Sequence, residues 1–297
     1  MVRGARKMNA KETLAYWIVE REHIREAKEA GLPKPWSDDW VFQQTYFCNV
    51  RREDDRVTRW IRGNWSPDKI GWDDYEYAMV VARFLNWPDT LSRLTYPDNR
   101  GIVIAPEKIE SVLEDIAASG MKVWGNAYVV TTHGLPMGKA QYLCRNVLPA
   151  AYELLGAARW RGAYPTGGCT LARRYEDYMQ LEGMGSFMSA QVLADLKNTP
   201  GHPLYEAIDW ENWSAPGPGS LRGLQWYFGR KINISEYATA INTVAEELPE
   251  EAYDVIRSKG KYDSFNTQDL QNCLCEYDKY MRVKNGTGRS KRGYPGK

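Results

Sequence analysis

The chain has 297 residues and a net charge of +1, so it is long enough to bury a sizeable core, and no global field draws it to nucleic acid. No apolar run approaches membrane-span length, and the basic start, residues 1–11, lacks a signal-peptide core. The five cysteines are odd in number, scattered and without a C-x-x-C pair, and the three histidines sit at no metal-ligand spacing, which excludes a disulfide framework and a structural zinc. A soluble cytoplasmic protein is expected, with any nucleic-acid contact made by local basic patches. Twelve Trp and nineteen Tyr against six Phe suit wet grooves and base stacking, and equally suit large half-buried residues of a helical protein.

In chain order, residues 10–30 form a long charged helix stopped by Gly31 and Pro33. Residues 33–39 are extended and end at a helix N-cap. Residues 40–62 carry Phe42, Tyr46, Val50 and Val57 near helical spacing, with the densest charge between them. Residues 73–86 and 106–119 are helices; 121–132 is β-like in composition, too short and isolated for a sheet-based fold. Residues 139–155 form a helix kinked at Pro149, and a Gly-rich loop covers 156–169. A helix over 173–180, a turn holding Gly183 and Gly185, and a helix over 187–196 follow. Past a break at 198–203, the Pro/Gly run of 215–219 is non-helical, and Gly219 or Ser220 caps a helix restarting at Leu221. Residues 235–248 and 267–283 are the last helices. The end, 284–297, is a basic flexible tail whose Lys284, Arg289, Lys291, Arg292 and Lys297 face no acid.

The segment Leu181-Glu182-Gly183-Met184-Gly185-Ser186 organises this pattern. Two close glycines permit positive φ, and the following helix begins with unpaired N–H groups that can cradle an anion. The pattern resembles the DNA-binding hairpin of the helix-hairpin-helix DNA glycosylases, in which turn amides hold a backbone phosphate. Gly183, Met184, Gly185 and Ser186 are therefore candidate DNA-binding residues, joined by Gly217, Gly219 and Ser220 of the later Pro/Gly run; an ordinary helix connection would read the same way. The resemblance implies a mainly α, two-lobed, helix-hairpin-helix glycosylase-like fold with a DNA-binding cleft. One domain spans 1–297, with the hairpin lobe at about 170–225. The position of the glycosylase's catalytic Asp holds Gly or Pro here, while Arg222 fits the Arg position. Asp209 lies nearby, before the Pro/Gly break. A Walker loop is absent: 134–140 is too short and ends on Ala where Ser or Thr would hold the metal.

Several blocks, taken in order, resemble a phage family of amino acid:DNA transferases, also called α-glutamyl/putrescinyl-thymine pyrophosphorylases, whose sequences carry the helical domain of 5-hydroxymethyldeoxyuridine (5-hmdU) DNA kinases. They are residues 34–39, the run Phe47-Cys48-Asn49-Val50-Arg51-Arg52-Glu53-Asp54-Asp55-Arg56-Val57-Thr58, the hairpin, residues 217–224 and residues 272–280. The resemblance implies that a partner phage kinase activates 5-hydroxymethyluracil in double-stranded DNA as a phosphate or pyrophosphate ester. This chain, a monomer in the cytoplasm of the infected host, would then replace that group on a flipped base with the amine of a free amino acid or polyamine. Arg51, Arg52, Arg56 or Arg222 would stabilise the leaving phosphate, and Asp54, Asp55, Asp209 or Glu276 would take the proton. Asn49 lies within the same run, and Lys279 and Arg282 would meet the carboxylate of an amino acid. Cys48, among arginines, would have a lowered pKa if it added to the pyrimidine ring, although a small buried core residue fits it as well. Magnesium could assist a pyrophosphate leaving group, but no carboxylate cage stands out. A glycosylase using Asp209, and a catalytically silent DNA-binding subunit of the kinase, are the alternatives.

Overall fold

The computed structural model describes residues 8–98, 101–128, 130–156, 168–258 and 261–289. The start before residue 8, Val129, most of the Gly-rich loop, and Lys291, Arg292 and Lys297 of the basic tail lie outside the described residues. The fold is mainly α. The helices are α1 (Ala10–Glu29), α2 (Trp40–Gln44), α3 (Arg56–Asn64), α4 (Pro67–Ile70), α5 (Trp72–Leu85), α6 (Pro88–Arg93), α7 (Pro106–Ala118) and α8 (Lys139–Tyr142). They continue with α9 (Leu148–Leu155), α10 (Leu171–Met179), α11 (Ser186–Lys197), α12 (Pro218–Phe228), α13 (Tyr237–Glu247), α14 (Glu250–Arg257) and α15 (Thr267–Lys284). Two compact units result: Met1–Asp55 with Glu211–Lys297, and Arg56–Trp210.

In the first unit α1 starts on a capping box, Asn9 Oδ1 accepting from the Glu12 amide while Glu12 accepts from the Asn9 amide at 2.8 Å. Its apolar side joins α2 and α15 through Trp17, Phe42, Phe47 and Tyr280, with Phe42 and Phe47 ring centroids 5.2 Å apart. The helix expected over 40–62 is interrupted. α2 stops at Gln44, residues 45–51 run without helix, and a 3-10 turn, Arg52–Asp54, precedes α3. The spacing that looked helical serves another purpose: Phe47 and Val50 are fully buried, and the backbone around them is held by side chains of α1 and α15 rather than by its own helical ladder.

The Pro/Gly run behaves differently from the reading of a helix restarting at Leu221. α12 already begins at Pro218, with Gly217 as N-cap. Proline's missing N–H costs nothing in a first turn, and Ser220 Oγ accepts from the Gly217 amide at 3.2 Å.

In the second unit α5 is the central element, every residue from Tyr75 to Leu85 being buried. The helix expected over 139–155 divides into α8, a π turn at Leu143–Val147, and α9. Pro149 has no N–H for the carbonyl one turn back, and the Leu148 amide reaches Leu143 instead. The β-like stretch forms no strand among the described residues. Its Gly125 amide donates to the Leu85 carbonyl at 2.8 Å, tying it to the end of α5. No described helix is long and apolar enough to cross a membrane.

Candidate functional site

α15 organises the first unit. Its partly exposed residues are Gln271, Asn272, Cys275, Glu276, Lys279, Met281 and Arg282. Apart from Met281 they fall at steps of one, three or four and form a single polar stripe. Leu270, Cys273, Leu274, Tyr277 and Tyr280 fill the buried side.

One edge of the stripe is the 45–51 segment. Asn272 Nδ2 donates to the Asn49 carbonyl at 2.9 Å. Glu276 Oε2 accepts from the Cys48 amide at 3.1 Å and lies 3.4 Å from the Lys279 ammonium, which also donates to the Tyr46 carbonyl. Glu276 Oε1 has no hydrogen-bond partner among the described residues. Asp269, a turn before Asn272, accepts from the Arg52 amide at 3.0 Å. Arg21 of α1 closes the segment from behind, donating to the Cys48 carbonyl at 2.9 Å and to Asn49 Oδ1.

The other edge is α12. Gly219 and Gly223 sit one turn apart against α15. A Cβ on Gly219 would stand 3.0 Å from Cys275 Sγ, and one on Gly223 would collide with the Leu274 carbonyl. These glycines permit close helix crossing. Past the crossing, Arg222 Nε and Arg282 Nε donate to the same oxygen of Asp278, at 2.9 and 3.2 Å, and Trp226 Nε1 reaches its other oxygen at 3.1 Å. Asp278 is buried, while the Arg222 and Arg282 side chains are 48% and 40% exposed. One carboxylate thus faces two guanidinium groups. Their terminal nitrogens have no hydrogen-bond partner among the described residues, a geometry suited to a second anion.

The residues proposed from sequence divide by environment. Arg51 and Asp54 enter a buried knot: Arg51 Nε donates to Asp54 at 2.8 Å, its terminal nitrogens donate to Glu22, the Val255 carbonyl and Ser258, and Arg25 lies 2.6 Å from Glu22. Desolvation alone would raise the Glu22 carboxyl, but hydrogen bonds and charge from Arg25 and Arg51 outweigh it and hold it below its ordinary value. Arg52 is half-buried and Asp55 exposed beside that knot. The expectation of an acidic Cys48 thiol is overturned. Though the residue is exposed overall, desolvation first, and the Glu276 charge second, push its thiol up to about 12, and Lys279 and Arg21 do not compensate. The Cys275 thiol is likewise raised to about 12, by burial and then by Glu276.

In the second unit, α10, a turn and α11 form the anticipated helix–turn–helix. Gly183 has φ +76°, and a Cβ there would stand 2.6 Å from Val147 Cγ2, so both backbone and packing require glycine. Met184 is buried, its carbonyl accepting from Ser189 Oγ at 3.0 Å. Gly185 is the N-cap of α11, and a Cβ there would meet nothing within 4 Å. Ser186 and Phe187 are exposed. Asp209 anchors this hairpin: its two oxygens accept from the Leu171 and Ala172 amides, at 2.7 and 3.0 Å, at the start of α10. Arg56 opens α3, with its guanidinium 5.6 Å from the centre of the Trp87 ring. Among the described residues, no group of three or more His, Cys, Asp or Glu is gathered as a metal cage.

Sequence reasoning missed Gln271, Asn272, Cys275 and Asp278. The available signal was a polar stripe at helical spacing opposite Leu270, Cys273, Leu274, Tyr277 and Tyr280. No curated protein and no solved structure matches the chain. Residues 8–290, however, match the family described as 5-hmdU DNA kinase, helical domain. The chain belongs to that family, which ties it to 5-hmdU DNA modification.

Proposed function

We propose that this protein is a transferase of phage thymidine hypermodification, exchanging the phosphate or pyrophosphate of activated 5-hydroxymethyluracil in DNA for an amine. The observation that carries the reading is Glu276. One of its oxygens is pinned by the Cys48 amide and Lys279, while the other has no partner among the described residues; this is the state of a positioned general base. Arg282 of the same stripe, paired through Asp278 with Arg222 of α12, supplies cationic stabilisation for a leaving phosphate, or meets the carboxylate of an amino acid. In the step itself, the amine lone pair bonds to the exocyclic methylene carbon. The carbon–oxygen bond to the phosphate breaks with its electron pair, and the proton shed by nitrogen passes to Glu276.

On this reading Arg51 and Asp54 hold the 45–55 segment in place, while Arg52, Asp55, Asn49 and Cys48 border the substrate. Gly183 to Ser186 contact duplex phosphate, and Gly217, Gly219 and Ser220 shape the start of α12. Asp209 supports the hairpin rather than attacking a sugar. The reacting base leaves the stack, and a separate kinase of the infected cell supplies the ester, in keeping with a chain that lacks a Walker loop.

The test is to incubate DNA bearing phosphorylated 5-hydroxymethyluracil with glycine, glutamate, serine or putrescine, with and without magnesium, and to digest it to nucleosides for mass spectrometry. An aminated thymidine is expected, and Glu276→Gln should lower its rate by about 10²–10⁴-fold. No aminated nucleoside with any amine would end the proposal, and abasic sites would favour a glycosylase.

A further inference from the structure

A second basic feature lies in the unit formed by Arg56–Trp210. Trp87 is clamped between two helices. Asn86 before it closes α5 in the left-handed conformation, φ 44°, and Pro88 after it opens α6. The Trp87 carbonyl accepts the Thr90 and Leu91 amides at 3.1 and 3.0 Å. The backbone of Trp87 is therefore fixed, and its side chain remains partly exposed as a platform. Three exposed cations gather round it. The Lys122 ammonium stands 3.7 Å from the ring centre and the Arg56 guanidinium 5.6 Å. Trp87, Lys122 and Arg93 line a hollow of about 320 Å³, in which Asp89 is the acid among the described lining residues. The lysine is held there by its backbone, because Thr90 Oγ1 donates to the adjoining Val123 carbonyl at 2.8 Å.

Cations set over an aromatic face gain from its quadrupole, and in the hollow Arg93 and Lys122 outnumber Asp89. A chain of phosphates would offset that excess, and an unpaired base has the flat face that the indole can take. We infer that the Arg56–Trp87–Lys122 cluster is a docking surface for single-stranded DNA. A base stacks on Trp87 in place of the Lys122 ammonium, and Lys122, Arg56 and Arg93 turn to the flanking phosphates. Paired bases within a duplex are already stacked and cannot use the ring, so the surface serves strand that is already open. This deepens the proposed function, since a base drawn out of a duplex leaves unpaired neighbours, and it rests on that reading only in taking DNA as the partner.

The experiment measures binding of the full chain to a fluorescent, unmodified oligothymidylate, to the same length of abasic backbone, and to a blunt duplex, with no amine or activated base present. Trp87→Ala should weaken the oligothymidylate about 5- to 150-fold, the range of one base–aromatic stack. Trp87→Phe should restore most of the loss, which separates stacking from misfolding, and circular dichroism confirms that both variants fold. Neither variant should alter binding of the abasic strand. Lys122→Ala should reduce the slope of log affinity against log salt by about 0.7, one single-strand phosphate contact. Equal losses on duplex and single strand, or oligothymidylate affinities within twofold of wild type for Trp87→Ala, would overturn the inference. The outcome is independent of the transfer assay, because no modified base is involved.

Discussion

Replacing Arg51 by Met tests whether the arginine-dense segment is scaffold or chemistry. The side chain is 4% exposed and its partners Glu22 and Asp54 are 9% and 0% exposed, so the substitution strands two carboxylates inside the first unit. Removing one member of a buried ion-pair set costs about 3–5 kcal/mol. Arg25 remains 2.6 Å from Glu22 and 3.7 Å from Asp54, which places the expected loss near the lower end, about 3 kcal/mol. For a unit of this size that lowers Tm by roughly 6–12 °C. The pH dependence follows from Glu22, whose carboxyl is held below the ordinary value of 4.5. A depressed carboxylate contributes stability that is fully present above its unfolded pKa and is lost as pH falls through its folded one. The gap between wild type and Arg51→Met should therefore stay constant from pH 7 to about pH 5 and close below about pH 4. Arg51→Lys should recover only part of the loss, since one ammonium cannot reproduce the planar fork. The assay is thermal unfolding followed by circular dichroism across this pH range, with transfer rate measured on the protein that remains folded. An unchanged Tm together with a collapse in rate would show that Arg51 acts on substrate and that the reading of it as scaffold is wrong.

The two glycine sites should respond in opposite ways. Gly223→Val drives a side chain into the Leu274 carbonyl and should destabilise by about 3 kcal/mol, the upper range of overpacking. Gly185→Val enters open space, costs at most about 1 kcal/mol through the poorer N-cap, and should weaken duplex binding; equal Tm losses for the two would refute these assignments. Cys48 and Cys275, both raised to about 12 from 9.0, should carry about a thousandth of an ordinary thiol's thiolate at pH 8. Alkylation by iodoacetamide at either site should climb about tenfold per pH unit up to pH 10, and a plateau near pH 7 at Cys48 would revive it as a nucleophile. Arg282→Ala leaves the buried Asp278 its Arg222 and Trp226 partners, so it should hold Tm within a few degrees while weakening competitive inhibition by inorganic phosphate or pyrophosphate about tenfold. Inhibition constants that do not move would remove the anion from this pair.

Local chemistry in the chain already specified several helix ends. Asn9 and Glu12 cap α1, Pro106 opens α7 and Gly183 turns the hairpin, because each acts on backbone groups a few residues away. Short-range rules failed where distant side chains supplied the hydrogen bonds. Residues 45–51 show helical spacing, yet Arg21, Asn272 and Glu276 satisfy that backbone from other elements and hold it out of a helix. The packing of Gly219 against Cys275, and the hold of both Asp209 oxygens on the amides of α10, could not be read from the sequence at either position. The amino-acid order by itself determined that the protein is helical, where its turns fall and which residues carry charge. Only tertiary packing decided which arginines are enclosed by carboxylates and which turn outward, since a guanidinium's role depends on the groups folding brings to it from hundreds of residues away.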